Sequence, residues 1–326
     1  MENWTQILVT EFIFTGFHIT WEFGIMISLL LVLMYVSTVT SNLIIIILVW
    51  TDHRLHSPMY FFLCNLSFHG IWFTSTIVPK LLSSFLMDNG ISVTGCILQC
   101  FFYFFLGTTE YILLPVMSFD RYVAICNPLR YAVIMNNRVC LGLALTSWIG
   151  GFLSMFSPFI MILRLTFCRF NTINHFFCDA ASLIHLSCTD TALLDLVVFV
   201  SASAVLISSL LLTTISYIYI ISTILAISSA DGRRKAFSTC GSHITVVTIA
   251  YGTAIFLYAK PANSDSFNLN KVMALLITVV TPLLNPFIYT LRNKQVKEAL
   301  VDAVRKCRLS QGLGKDMIHL HHLRLQ

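Results

Sequence analysis

The chain has 326 residues and a formal net charge of +5; 57% of its residues are hydrophobic and only 11% are charged. A soluble domain carries about 25% charged residues, so water is not the main solvent of this protein. The basic excess calls for no nucleic-acid partner, because it gathers on one membrane face, as described below.

Residues 1–23 carry Glu2, Glu11 and Glu22 but no Lys or Arg, and so lack the basic start of a cleavable secretory signal. An Asn-Trp-Thr sequon makes Asn3 a glycosylation candidate. The next run, 24–50, contains no charged residue and exceeds the ~20 residues that cross a bilayer, so it is expected to act as its own insertion signal. Similar runs follow at 58–86, 92–126, 138–163, 193–227, 234–260 and 269–291. The prediction is an all-α membrane protein, a seven-transmembrane-helix bundle. It divides into an extracellular N-terminus (1–23), the helix domain (24–291) and a cytoplasmic amphipathic helix and tail (292–326).

Assigning alternate loops to opposite sides puts fifteen of the twenty Lys and Arg residues on one face, among them Arg54, Arg130, Arg138, Arg233 and Arg234. Short cytoplasmic flanks carry the positive excess, so that face is cytosolic and the N-terminus lies outside. Cys96, Cys168, Cys178 and Cys188 then all face an oxidising compartment and can form two disulfides in any of three pairings. The other six cysteines are expected to be reduced.

The third span ends in Met117-Ser118-Phe119-Asp120-Arg121-Tyr122-Val123-Ala124-Ile125-Cys126-Asn127-Pro128, an acid and a base side by side at the cytosolic border. This resembles the third helix of rhodopsin-like G-protein-coupled receptors in the form found in olfactory receptors. Four more stretches carry the resemblance. They are Leu55-His56-Ser57-Pro58-Met59-Tyr60-Phe61-Phe62-Leu63, Ser216-Tyr217, Lys235-Ala236-Phe237-Ser238-Thr239-Cys240-Gly241-Ser242-His243 and Pro282-Leu283-Leu284-Asn285-Pro286-Phe287-Ile288-Tyr289. The chain resembles the tetrapod-type class of that family from about Asn3 to Leu300.

The resemblance implies a plasma-membrane odorant receptor of olfactory neurons that activates a stimulatory, olfactory-type G protein and raises cyclic AMP. It implies the pairings Cys96–Cys178 and Cys168–Cys188. It gives Asp120, Arg121 and Tyr122 the coupling role when the sixth helix swings out, with Tyr217, Asn285, Pro286 and Tyr289 in the switch. Where relatives carry an acid, this chain has Gly70, so the family's mid-membrane ion and proton site is reduced to Glu110. A sodium ion beside Glu110 is the only cofactor-like expectation.

Helix geometry supports the same axis. Tyr103 and Arg121 are eighteen residues apart, five full turns and about 27 Å of rise, so they point the same way at opposite membrane faces. Glu110 falls within about 20° of that stripe, and an ionisable residue at mid-membrane is a functional candidate by default. The candidate ligand-binding residues are Tyr103, Phe104, Gly107, Thr108 and Tyr111, then Ser201 and Val205, then Tyr251, Ala254 and Tyr258, and Thr278. Amine receptors of the wider family carry an Asp where this chain has Tyr103, so the expected ligand is neutral and mostly apolar.

A transporter would repeat polar groups in broken spans, and a membrane enzyme would cluster His, Asp or Glu ligands. Neither pattern occurs, and no enzyme activity or metal site is expected. The nearer alternative is a receptor of the same fold that answers a metabolite in another tissue.

Overall fold

The computed structural model describes residues 9–16, 20–86, 89–168, 171–259, 266–292 and 295–305. Asn3, Cys307 and the tail beyond 305 lie outside the described residues. Seven long helices cross the molecule: α1 (Trp21–Thr51), α2 (Pro58–Leu86), α3 (Val93–Cys126), α4 (Asn137–Ile162), α5 (Ala192–Ala226), α6 (Ala230–Ala259) and α7. The last is built from Ser266–Leu275, a π-helical turn Leu276–Val280 and Thr281–Arg292. Six of the seven are long and apolar enough to span a membrane, while α6 has a shorter apolar stretch, Cys240–Phe256, behind its basic cytosolic end. A further helix, α8, follows at 295–305. It is held to the bundle by Tyr60 donating to Gln295 (2.7 Å) and by Arg54 bridging Asp52 and Asp302 (2.7 Å each).

In hydrocarbon the backbone must satisfy itself, which is why the spans are helices. Hydroxyls inside them donate back to the carbonyl four residues earlier, as Thr38, Thr74, Thr109 and Ser118 do. Polar side chains also bridge helices: Asn42 donates to the Pro282 carbonyl (3.4 Å), Trp148 to Asn65 (3.1 Å) and Gln99 to the Thr76 carbonyl (3.0 Å). Large apolar side chains such as Leu33, Phe199 and Leu212 face outward, where lipid replaces water as the solvent.

One feature departs from the all-helical expectation. Glu11–Phe14 forms strand β1, which pairs antiparallel with β2 (Gly90–Ser92) and parallel with β3 (Thr172–Ile173). Phe12 and Phe14 are buried and Glu11 and Ile13 exposed, the alternation of a half-buried strand. The sheet sits at the outer end of the bundle, beside the disulfide Cys96–Cys178 (Cα–Cα 5.3 Å); a second disulfide joins Cys168 to Cys188.

Helix α4 approaches α3 most closely at Gly151, where an added Cβ would lie 2.1 Å from Thr109 Oγ1 and 3.1 Å from the Phe105 carbonyl. Small residues permit such contacts between membrane helices. Gly151→Ala is therefore expected to destabilise the receptor fold by about 1–3 kcal/mol and Gly151→Leu to abolish surface expression. Surface labelling and the melting temperature of detergent-purified protein measure this; a Gly151→Leu protein that melts like the parent would show that α4 is free to move off α3.

Candidate ligand pocket and cytosolic switch

Between α3, α5, α6 and α7, towards the outer half of the bundle, lies a cavity of about 150 Å³. An apolar cavity of that size holds a benzene-sized molecule. Its α3 wall consists of Tyr103, Phe104, Gly107, Thr108, Glu110 and Tyr111; α5 adds Ala202, Val205 and Leu206, α6 adds Ala250, Thr253 and Ala254, and α7 adds Ile277 and Thr281. Phe73 enters from α2 and stacks on Tyr103, whose ring meets Phe177 of the outer loop at 4.7 Å. Below the cavity three helices are knitted together: Tyr111 donates to the Ala250 carbonyl (3.1 Å), Ser209 bonds both the Tyr111 carbonyl and the Tyr251 hydroxyl, and Tyr251 reaches Thr213 (3.2 Å).

At the cytosolic end of α3, Arg121 is held by its neighbour Asp120 (2.9 Å), and Asp120 also accepts from Tyr131 (2.7 Å); both charged groups are buried. Tyr131 lies in the loop after α3, and burial together with the Asp120 carboxylate pushes its hydroxyl above its ordinary pKa. Tyr217 of α5 hydrogen-bonds His243 of α6 at 2.6 Å and stacks on its ring. Tyr289 and Asn285 are buried on α7, which Ser242 of α6 ties down by donating to the Ile288 carbonyl (3.0 Å). Tyr122 instead turns towards Tyr219 and Phe119.

A long apolar bundle with a central cavity and an Asp-Arg-Tyr end is shared by many receptors, and sequence comparison decides among them. The family model described as olfactory receptor matches residues 31–306. The chain belongs to the olfactory receptor family. It is similar to human Olfactory receptor 6J1, at 50% identity over 303 residues (93% of this chain, 87% of the relative). It is also similar to mouse Olfactory receptor 6E1 (51% over 300 residues, 91% and 96%) and rat Olfactory receptor 287 (52% over 295 residues, 90% and 95%). The receptor is thus a multi-pass plasma-membrane protein and not an enzyme.

Seven of the sequence-selected pocket residues line the cavity of this receptor: Tyr103, Phe104, Gly107, Thr108, Tyr111, Val205 and Ala254. The Tyr258 side chain lies outside the described residues. Three others are placed off the wall. Ser201 hydrogen-bonds the Val198 carbonyl of its own helix, and Ala202 lines the cavity beside it. Tyr251 sits beneath the cavity in the Ser209–Thr213 knot. Thr278 is fully buried and donates to the Ala274 carbonyl, because the π turn at Leu276–Val280 changes the helical phase and presents Ile277 and Thr281 instead. The residues that the sequence did not single out include Phe73, which gives no polar or periodic signal to separate it from the other aromatics of α2. Glu110, selected for an ion site, is found in the cavity wall.

The outer loop packs against the outer end of the bundle, Phe177 touching Tyr103. Lys271 donates to the Gly16 carbonyl (2.6 Å) and to Asn174 (2.7 Å), tying the N-terminal segment and the loop to α7. His175 is half-buried next to them; its burial holds its pKa below the ordinary value, Asp179 acting against this and Lys271 in the same direction. A depressed imidazole stabilises the packed loop above the ordinary His value of about 6.5 and loses that contribution as pH falls. Hydrogen exchange over residues 171–179 should accordingly quicken between pH 7.5 and 5.5 beyond the intrinsic chemical trend, and His175→Gln should flatten the difference. An unchanged pH response in the variant would remove His175 from the account.

Proposed function

We propose that this receptor binds a small, neutral, mostly apolar odorant in the cavity between α3, α5, α6 and α7. Occupancy shifts α6 outward, releases Arg121 and activates a stimulatory, olfactory-type G protein that raises cyclic AMP, in olfactory sensory neurons. The observation that carries this proposal is the Tyr111–Ala250 hydrogen bond: both residues line the cavity and together they join α3 to α6, directly above the Ser209–Tyr251 knot. A ligand pressing there acts on the contact that holds α6 in place, and α3 runs from it to Arg121. A sodium ion beside Glu110 would meet one carboxylate instead of two, since position 70 is glycine.

Arg121→Ala is expected to abolish the odorant-stimulated rise of cyclic AMP at unchanged surface labelling. Normal signalling by the variant would sink G-protein coupling through this site. The cavity also bounds affinity. A ligand of about six to ten heavy atoms, at ~0.6 kcal/mol per atom, binds with about 4–6 kcal/mol, a Kd of roughly 40 µM to 1 mM. Titration of cyclic AMP in intact cells measures it, and subnanomolar potency for a ligand of that size would contradict the cavity assignment.

A further inference from the structure

The polar groups around the ligand cavity are unequally supplied with hydrogens. Tyr111 donates its hydroxyl hydrogen to the Ala250 carbonyl, Thr253 to the Ile249 carbonyl and Thr281 to the Leu276 carbonyl. A hydroxyl so engaged turns only lone pairs towards the cavity. Glu110 shares the same wall, is nine-tenths buried, and makes no hydrogen bond with any described residue. In either protonation state its carboxyl offers acceptor oxygens, and when neutral it adds a single hydrogen. Tyr111, Thr253, Thr281 and Glu110 therefore turn acceptor oxygens towards the cavity.

The surrounding helices do not relieve the carboxyl. His69 of α2 is near enough to act on it electrostatically, and the Nε2 hydrogen of His69 goes to the Leu106 carbonyl at 2.9 Å. The amide of Asn42, next to Gly70, donates to the Thr38 and Pro282 carbonyls. An acceptor left without a donor in a water-poor site costs about 1–3 kcal/mol, more when charged. Whatever fills the cavity is selected for supplying that hydrogen.

Resting on the receptor function proposed above, we infer that Glu110 is the specificity-determining residue of the pocket and that its ligand class is the alcohols and phenols. The ligand O–H donates to the Glu110 carboxyl, and its oxygen can accept from Thr108, whose hydroxyl makes no hydrogen bond with a described residue. A carbonyl compound or an ether of the same skeleton can accept from Thr108 too but brings no hydrogen to the Glu110 carboxyl, so the alcohol alone serves both groups. An ammonium brings hydrogens too, but losing its hydration inside an enclosed apolar cavity is costly, so the neutral donor is favoured.

The test uses the full-length receptor in cells, with cyclic AMP as readout and surface labelling as control. The probes are matched sets of alcohol, aldehyde, methyl ether and amine on six- to ten-atom skeletons, beginning with benzyl alcohol, benzaldehyde, benzyl methyl ether and benzylamine, together with phenol. The expected result is at least one alcohol or phenol about tenfold or more above its carbonyl and ether partners in potency. That preference should disappear in Glu110→Leu and persist within about threefold in Glu110→Gln, whose amide also accepts and matches the carboxyl in shape. Equal potency of aldehydes or ethers, activation by these alone, or a preference that survives Glu110→Leu overturns the inference while leaving the receptor function intact. An amine preferred tenfold over its alcohol and lost in Glu110→Gln overturns it in favour of an ion pair. If no probe raises cyclic AMP or the melting temperature of the purified receptor at verified surface expression, the odorant-binding proposal itself fails.

Discussion

Inside hydrocarbon a carbonyl without an N–H partner has no water to turn to, and this constraint organises the bundle. Prolines create such carbonyls, because each removes the hydrogen that would have reached the residue four positions earlier. Pro115 in α3 leaves the Tyr111 carbonyl open, and Ser209 of α5 donates to it. Pro286 in α7 leaves the Pro282 carbonyl open, and Asn42 of α1 donates to it. Two weaknesses in the helical ladder thus become two ties between helices, where apolar surface alone gives no drive to associate because lipid tails are equally apolar.

The first of these ties lies at the level of the cavity. Ser209 also bonds Tyr251, and Tyr111 bonds Ala250, so α3, α5 and α6 meet within one turn of the cavity floor. Further down, the contacts change character: Tyr217 pairs with His243 across α5 and α6, while Arg121 is satisfied within its own helix by Asp120. An outward movement of α6 would have to break the Tyr111–Ala250 bond above and the Tyr217–His243 bond below. Arg121 would then exchange Asp120 for another partner. Each of these is a discrete hydrogen bond, so a shift between two packings is easier to picture than a continuous deformation.

The helices were legible in the sequence because charge is expensive in lipid. Asp52, Arg54 and Asp231 to Arg234 punctuate the apolar runs, and the α2 span falls on the predicted boundaries. The Tyr103–Arg121 stripe was legible because α3 is one helix from Val93 to Cys126 and keeps its phase past Pro115. Strand β1 was not, since four alternating residues are too few to stand out and their partners lie about 80 and 160 positions away. Thr278 was misplaced because five π-helical residues shift the phase of α7, and nothing in Leu276-Ile277-Thr278-Val279-Val280 announces that turn. The tie between the N-terminal segment, the outer loop and α7 was missed for a related reason: Lys271 gives no hint in sequence that it reaches back to Gly16 and across to Asn174.

Gly70 lies in α2, where helices α1 and α7 pack against it. A Cβ built there would meet Asn42 at 3.6 Å and Pro282 at 3.8 Å, ordinary contact distances, and the backbone has no conformation reserved for glycine. Sterics do not require glycine at this position. With no side chain, Gly70 brings neither charge nor a hydrogen-bonding group to this part of α2. His69 Nε2 is committed to the Leu106 carbonyl and the Asn42 amide to two others, so neither of these donors goes to the Glu110 carboxyl. Glu110 lines the cavity, so its carboxyl is part of the surface that the cavity presents.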